Sequence, residues 1–276
     1  MTATAYMTID DSPTHDTDAL TDFLVERNVP AVIFAIGTAY TDLHLQCEGI
    51  EQLPDPIQRA IEKGFLIGNH TYTHRRSSEL SFEDVVKEIE KTETLIDSLY
   101  RKAGKTRTHK LIRFPHIDRG AGGWVVDYDA AGQYGDTLGE LFGKGLNITL
   151  DPPSAAQVEK KAKIQDYLKR EGFSADLYQG VNFPWYTQTE MAQARDSLYT
   201  FSTSDWMMNP DFADHRHKWA YQSLDALKQK IDDDPWIFSD SSANIILAHD
   251  HNNMYDVTTA LVDHMLARGI KFLPVS

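Results

Sequence analysis

The stretch TIDDSP, residues 8–13, sets Asp10 beside Asp11 directly after the apolar, β-prone run AYMTI. Adjacent carboxylates repel and are costly to bury, so a fold that carries them to the rim of a sheet usually offsets that cost with a cation. Taken alone, DDSP reads more readily as a turn capping the next helix. The run NHTYTH supplies His70 and His74 at a spacing of i, i+4, which on a helical turn points both imidazoles the same way and lets them share one ion. The residue after His70 is Thr71, where the zinc-peptidase signature has Glu, so a general base must come from elsewhere. One aspartate with two histidines is a three-ligand set that leaves positions open for water and substrate, and the other aspartate is then free to act as base.

Three further stretches carry candidates. In RFPH, Arg113 reads either as a surface cation or as a buried partner that orients a carboxylate. NIILAH puts His249 at the end of an apolar run, with Leu247 two residues earlier on the same face of a strand. STSDW contains Asp205, which could hold His249 as its imidazolium, and Trp206, which could wall a pocket.

The elements that must position these residues alternate. AYMTI, AVIFAI, FLIGNH, HKLIRF, LYTFST, ANIILAH and IKFLPV read as short strands, separated by helical patterns. In SFEDVVKEIEKTETLIDSLYRKAG, for example, Phe82, Val85, Val86, Ile89, Leu95, Ile96 and Leu99 recur at helical spacing behind a plausible Ser81 N-cap. This alternation argues for an α/β protein with a parallel sheet, open or closed into a barrel. Residues 117–175 break the rhythm: half of the glycines fall between Gly120 and Gly145, and a strongly charged helix follows. The segment reads either as a solvated excursion or as a lid with Trp124, Tyr128 and Tyr134 as stacking surfaces.

The chain of 276 residues fits one domain, and its 41% apolar and 25% charged content is that of a globular protein. A net charge of -14 argues against nucleic acid or an anionic membrane as the main partner. Cys47 is the single cysteine, so an intrachain disulfide is excluded. No window has the apolar length of a membrane span, and no signal-peptide pattern opens the sequence. If Met1 is the native start, a cytoplasmic location is expected; otherwise the protein would be secreted or periplasmic with its signal removed.

In order along the chain, TIDDSP, HTYTH, RFPH, SDW and LAH resemble the motifs of the polysaccharide deacetylase family, carbohydrate esterase family 4, which read T-F-D-D-G-P, H-[ST]-x-x-H, R-x-P-Y, D-x-x-D-W and L-x-H. The resemblance implies a distorted (β/α) barrel of about seven strands in a single domain, with residues 117–175 as an insertion. It implies a divalent metal held by Asp11, His70 and His74, with Zn2+ expected and Co2+, Mn2+ or Ni2+ as alternatives. Asp10 would be the general base oriented by Arg113, and His249 the general acid tuned by Asp205. The backbone N–H of His116 would serve an oxyanion hole, and Trp206 and Leu247 would line the acyl pocket. The chain departs from these motifs at Ser12 (Gly in the family), His116 (Tyr) and Ser202 (often the first acid of the fourth motif).

The implied activity is metal-dependent removal of an N-acetyl group from an N-acetylated amino sugar. Alternatives using the same site are a cytoplasmic small-molecule amidase or deformylase acting on a small N-acyl substrate, and an O-acetyl esterase. A catalytically dead carbohydrate-binding module is the alternative outside enzymes.

Overall fold

A computed structural model describes residues 2–42, 45–145, 150–214 and 216–275. In chain order its strands and α-helices are β1 (Thr4–Ser12), α1 (Thr17–Glu26), β2 (Ala31–Ala35), β3 (Tyr40–Asp42), β4 (Leu45–Cys47), α2 (Pro54–Lys63), β5 (Leu66–Asn69), α3 (Phe82–Lys102), α4 (Gly135–Gly143), α5 (Ala155–Arg170), α6 (Pro184–Thr187), β6 (Phe201–Ser202), α7 (Leu224–Asp233), β7 (Asn244–His249), α8 (Tyr255–Ala267) and β8 (Lys271–Phe272). The main sheet has the order β5-β2-β1-β7-β6, all parallel, with β8 joined to the start of β1. Strands β3 and β4 form a separate antiparallel hairpin.

Residues 111–113 close the open edge. Asn69 N–H donates to Leu111 O at 2.8 Å and Arg113 N–H to Asn69 O at 3.0 Å, while Ser197 N–H, just before β6, donates to Ile112 O at 2.7 Å. The sheet thereby becomes a distorted barrel, with this short segment standing in for a further strand.

Strands in such a sheet are covered on both faces, and β1 is buried almost throughout. Met7, Ile9, Ile33, Ile67 and Ile246 pack with apolar residues of α1, α2, α3, α7 and α8 into one core. Tyr6, Val32, Phe34, Ile245 and Leu247, on the alternate face, belong to a second core. Helix α3 buries Val85, Ile89, Ile96 and Leu99 and is capped by Ser81, whose side chain accepts from Asp84 N–H.

The expectation that Trp124, Tyr128 and Tyr134 offer open stacking faces is corrected. Trp124 and Tyr128 are buried edge to face in the second core, with Val125, Val126, Leu138 and Phe142 around them. Tyr134 lies at the margin of that core and hydrogen-bonds Gln188. The reading as a solvated excursion does not describe this part of the segment, because these apolar side chains fill space against the inner face of the sheet, whereas α5 lies largely at the surface as that reading expects. Buried Arg119 further ties the segment down, with Nε donating to Asp196 at 2.9 Å and Nη1 donating to Glu190 at 2.8 Å and to the Val125 carbonyl at 2.9 Å.

Candidate active site

The C-terminal ends of β1, β5 and β7 and the loops after them converge on one side of the barrel. Asp10 pairs in register with His249 across β1 and β7. Strict alternation would turn adjacent side chains to opposite faces. At Asp11 the pattern breaks: its φ is +69°, and the β1–β2 register shifts between Ile9 and Ser12. Such a bulge re-aims one side chain, and it answers why a strand should end in two acids, since both carboxylates now reach the same site. Ser12 itself lies outside the left-handed region, and its hydroxyl donates to buried Asp250 at 2.8 Å, so the replacement of Gly is accommodated by a new bond.

His70 and His74 converge as expected, but not on a helical turn. They occupy an irregular loop in which Thr71 and His74 have φ of +63° and +54°. Left-handed backbone costs energy for residues with a Cβ and persists where its surroundings enforce it. Here the enforcing group is Glu88 of α3, whose carboxylate accepts from Tyr72 N–H, Thr73 N–H and the Thr73 hydroxyl at 3.1, 2.6 and 2.9 Å. Tyr40 stacks on the His74 ring at 4.3 Å.

Asp11 Oδ1 lies 3.0 Å from His70 Nε2 and 2.9 Å from His74 Nε2, all three residues buried. His70 Nδ1 is 2.8 Å from the Arg113 carbonyl, to which it can only donate, so in the neutral ring Nε2 presents a lone pair to the carboxylate. Asp11 Oδ1 is buried without a hydrogen-bond partner. The His70 and His74 Nε2 atoms around an orphaned carboxylate oxygen form a donor set that a cation completes, and the ligand atoms lie within 4.8 Å of one another. The residues therefore fit a divalent metal. Although burial opposes charge, Asp10 and Asp11 raise the pKa of His70, whereas burial lowers that of His74. Burial also works against the Asp11 carboxylate, yet His74, His251 and His70 together hold its pKa well below the usual range.

Arg113 is fully buried rather than a surface cation. Nη1 donates to Asp10 Oδ1 at 2.8 Å and to Thr8 Oγ1 at 2.7 Å, and Nε donates to Ser197 O at 2.9 Å. Asp10 Oδ2 stands 3.9 Å from His70 Nε2. On the other flank, His249 Nδ1 meets Asp205 Oδ1 at 2.7 Å, and Asp205 Oδ2 accepts the His249 backbone N–H at 2.8 Å. Burial disfavours the imidazolium, but the Asp205 charge and hydrogen bond override it and raise the His249 pKa to about 9.

The remaining expected residues surround this centre. Trp206 is half-buried against Trp219 and Phe212, in a cluster that includes Ile36 and Tyr40. Leu247 is buried in the second core, two residues before His249. His116 has φ of +56°, and its ring meets that of His74 edge-on at 4.9 Å. Sequence reasoning missed Tyr40, Glu88 and, most notably, His251, whose Nε2 is 2.6 Å from Asp11 Oδ2. The signal for His251 was its place two residues after His249, but it lies beyond the strand, where alternation no longer guides orientation.

The barrel agrees with comparisons to known proteins. Residues 2–121 match the family model described as polysaccharide deacetylase. Over that stretch, which carries Asp10, Asp11, His70, His74 and Arg113, the chain is similar to the polysaccharide deacetylase family. It is similar to a chitooligosaccharide deacetylase of Rhizobium leguminosarum bv. trifolii, 35% identical over 94 residues, which cover 34% of this chain and 39% of that protein. A chitin deacetylase of Colletotrichum lindemuthianum is 31% identical over 174 residues, covering 62% of this chain and 59% of that one. The matched region thus spans less than two thirds of the length of these curated relatives. Among solved structures, the catalytic domain of a peptidoglycan N-acetylglucosamine deacetylase from Eubacterium rectale aligns at a TM-score of 0.57 with 15% identity, covering 100% of this chain and 90% of that one. The chitin deacetylase structure from Colletotrichum lindemuthianum aligns at 0.54 with 18% identity, covering 100% and 86%. These likenesses show the fold, a distorted (β/α) barrel.

Proposed function

We propose that the chain hydrolyses the N-acetyl group of an N-acetylated amino sugar, giving the free amine and acetate. The observation that carries this reading is the orphaned Asp11 Oδ1 between His70 and His74, with a buried carboxylate on one side and an Asp-held imidazole on the other. Bound by those residues, a divalent cation, with Zn2+ as the expected ion, would supply Lewis acidity toward the acyl carbonyl and acidify a water molecule. Asp10, oriented by the Arg113 guanidinium, takes a proton from the attacking water. The His116 backbone N–H donates to the developing oxyanion, an arrangement that typically contributes a few kcal/mol. His249, kept protonated by Asp205, gives its proton to the leaving nitrogen as the C–N bond breaks; an amine leaves poorly without it. Trp206 walls the acyl pocket and Leu247 supports it from below.

Asp10→Asn separates base from ligand. It should keep metal bound at the wild-type stoichiometry while lowering kcat by about 100-fold or more, the usual scale for losing a general base. Near-normal turnover would remove Asp10 from that role.

A further inference from the structure

We propose that His251, with its tautomer set by Asn209, is a positioning residue that holds Asp11 as a single-oxygen ligand for the divalent cation. This inference rests on the metal site proposed above.

The proton positions follow from groups whose roles are fixed. Asp211 N–H donates to Asn209 Oδ1 at 2.9 Å, which settles the amide orientation and leaves Nδ2 as the donor on the other side. That Nδ2 lies 3.1 Å from His251 Nδ1, which must then accept. A neutral imidazole accepting at Nδ1 carries its proton on Nε2. His251 Nε2 accordingly donates to Asp11 Oδ2 at 2.6 Å. Both His251 and Asn209 are buried, at 3% and 0% exposure, so bulk water does not compete for these bonds.

The relay divides the carboxylate. Oδ2 is committed to His251, and Oδ1 alone faces His70 and His74. It also ties two separate loops to one ligand, because Asn209 follows the turn that carries Asp205 and Trp206, while His251 follows β7. Partners of this kind orient first-layer ligands, and losing one commonly costs about 10–100-fold in metal affinity. Gln at position 251 can place an amide N–H near the site of Nε2, whereas Leu cannot.

The test is the dissociation constant for Zn2+, by chelator competition, of the wild-type protein, His251→Gln and His251→Leu. It is paired with 15N NMR of the histidine rings in the metal-free wild type and a thermal melt of each variant. The expected result is tight wild-type binding, a loss of about 10-fold or more in His251→Leu with restoration to within a few-fold in His251→Gln, and a His251 ring protonated at Nε2 and bare at Nδ1. If the wild type binds no Zn2+, the metal site itself fails. If the wild type binds and folded His251→Leu binds equally well, or if His251 carries its proton on Nδ1, the positioning role is overturned while the metal site stands. Should His251→Leu fail to fold, the ring tautomer and weak binding by folded His251→Gln would each still be able to refute it.

Discussion

His249 is the residue whose environment departs most usefully from its ordinary chemistry. Its folded pKa, raised to about 9 against burial by the Asp205 charge, lies above the unfolded value of about 6.5. The imidazolium is therefore present through neutral pH, and kcat/KM should fall as pH rises through about 9 and the acid is lost. Asp205→Asn withdraws the charge that raises it, so the alkaline limb of the pH–rate profile should move down toward the ordinary histidine range. A limb unmoved by that change would assign it to another group. The same linkage predicts a stability contribution that is full below the unfolded pKa and lost as pH rises through about 9, readable from denaturant midpoints across that window. His70→Ala should empty the metal site, checked by metal analysis of the folded variant.

At the scale of elements, the notable feature is how many site residues depend on backbone that sequence patterns do not specify. Asp11, Thr71, His74, His116 and Ser204 all have positive φ without being glycine. Glu88 is the clearest support: Glu88→Ala leaves two loop N–H groups and a hydroxyl without their acceptor. Metal affinity should fall by about 10-fold while α3 keeps its helicity by circular dichroism. Unchanged affinity would mean that the loop holds its shape without this carboxylate. Ser81→Ala at the start of the same helix should cost about 1 kcal/mol of stability and leave the site intact.

This contrast explains what was legible in the sequence. Helix α3 could be read because apolar spacing and its cap act locally, and β1 and β7 because a strand buried on both faces is continuously apolar. Most of the residues that converge on the site, though not Tyr40, Glu88 or His251, were readable from the motifs. Its geometry was not: the histidine pair converges through a strained loop pinned by a distant helix, and the aspartates through a bulge. Both are tertiary effects that override spacing. His251 and Asn209, 42 positions apart, meet only in the folded chain.

For the whole molecule, the described residues of the segment 117–175 are better understood as structure than as appendage. It contributes Trp124, Val126, Tyr128 and Leu138 to the second core, which also holds the inner face of the barrel strands. Arg119 and Asp196, exposed only 2% and 1%, lock that core from one side. Removing one partner of a buried pair strands the other's charge, so Asp196→Ala should destabilise by about 3–5 kcal/mol, measured by urea unfolding with an unchanged slope. A loss below 1 kcal/mol would show that Glu190 alone satisfies the guanidinium. Among the described residues no helix is long and apolar enough to cross a membrane. Among the described residues the barrel thus presents one such centre, built from the ends of strands far apart in sequence, with a packed interior behind it.

The central claim is that Asp11, His70 and His74 hold a metal that the remaining residues use to release acetate. The most direct measurement is acetate release from N-acetylglucosamine oligomers by chelator-stripped protein, before and after addition of one equivalent of Zn2+. Release that is absent when stripped and returns with the metal is the expected result; release at the same rate in both states would contradict it.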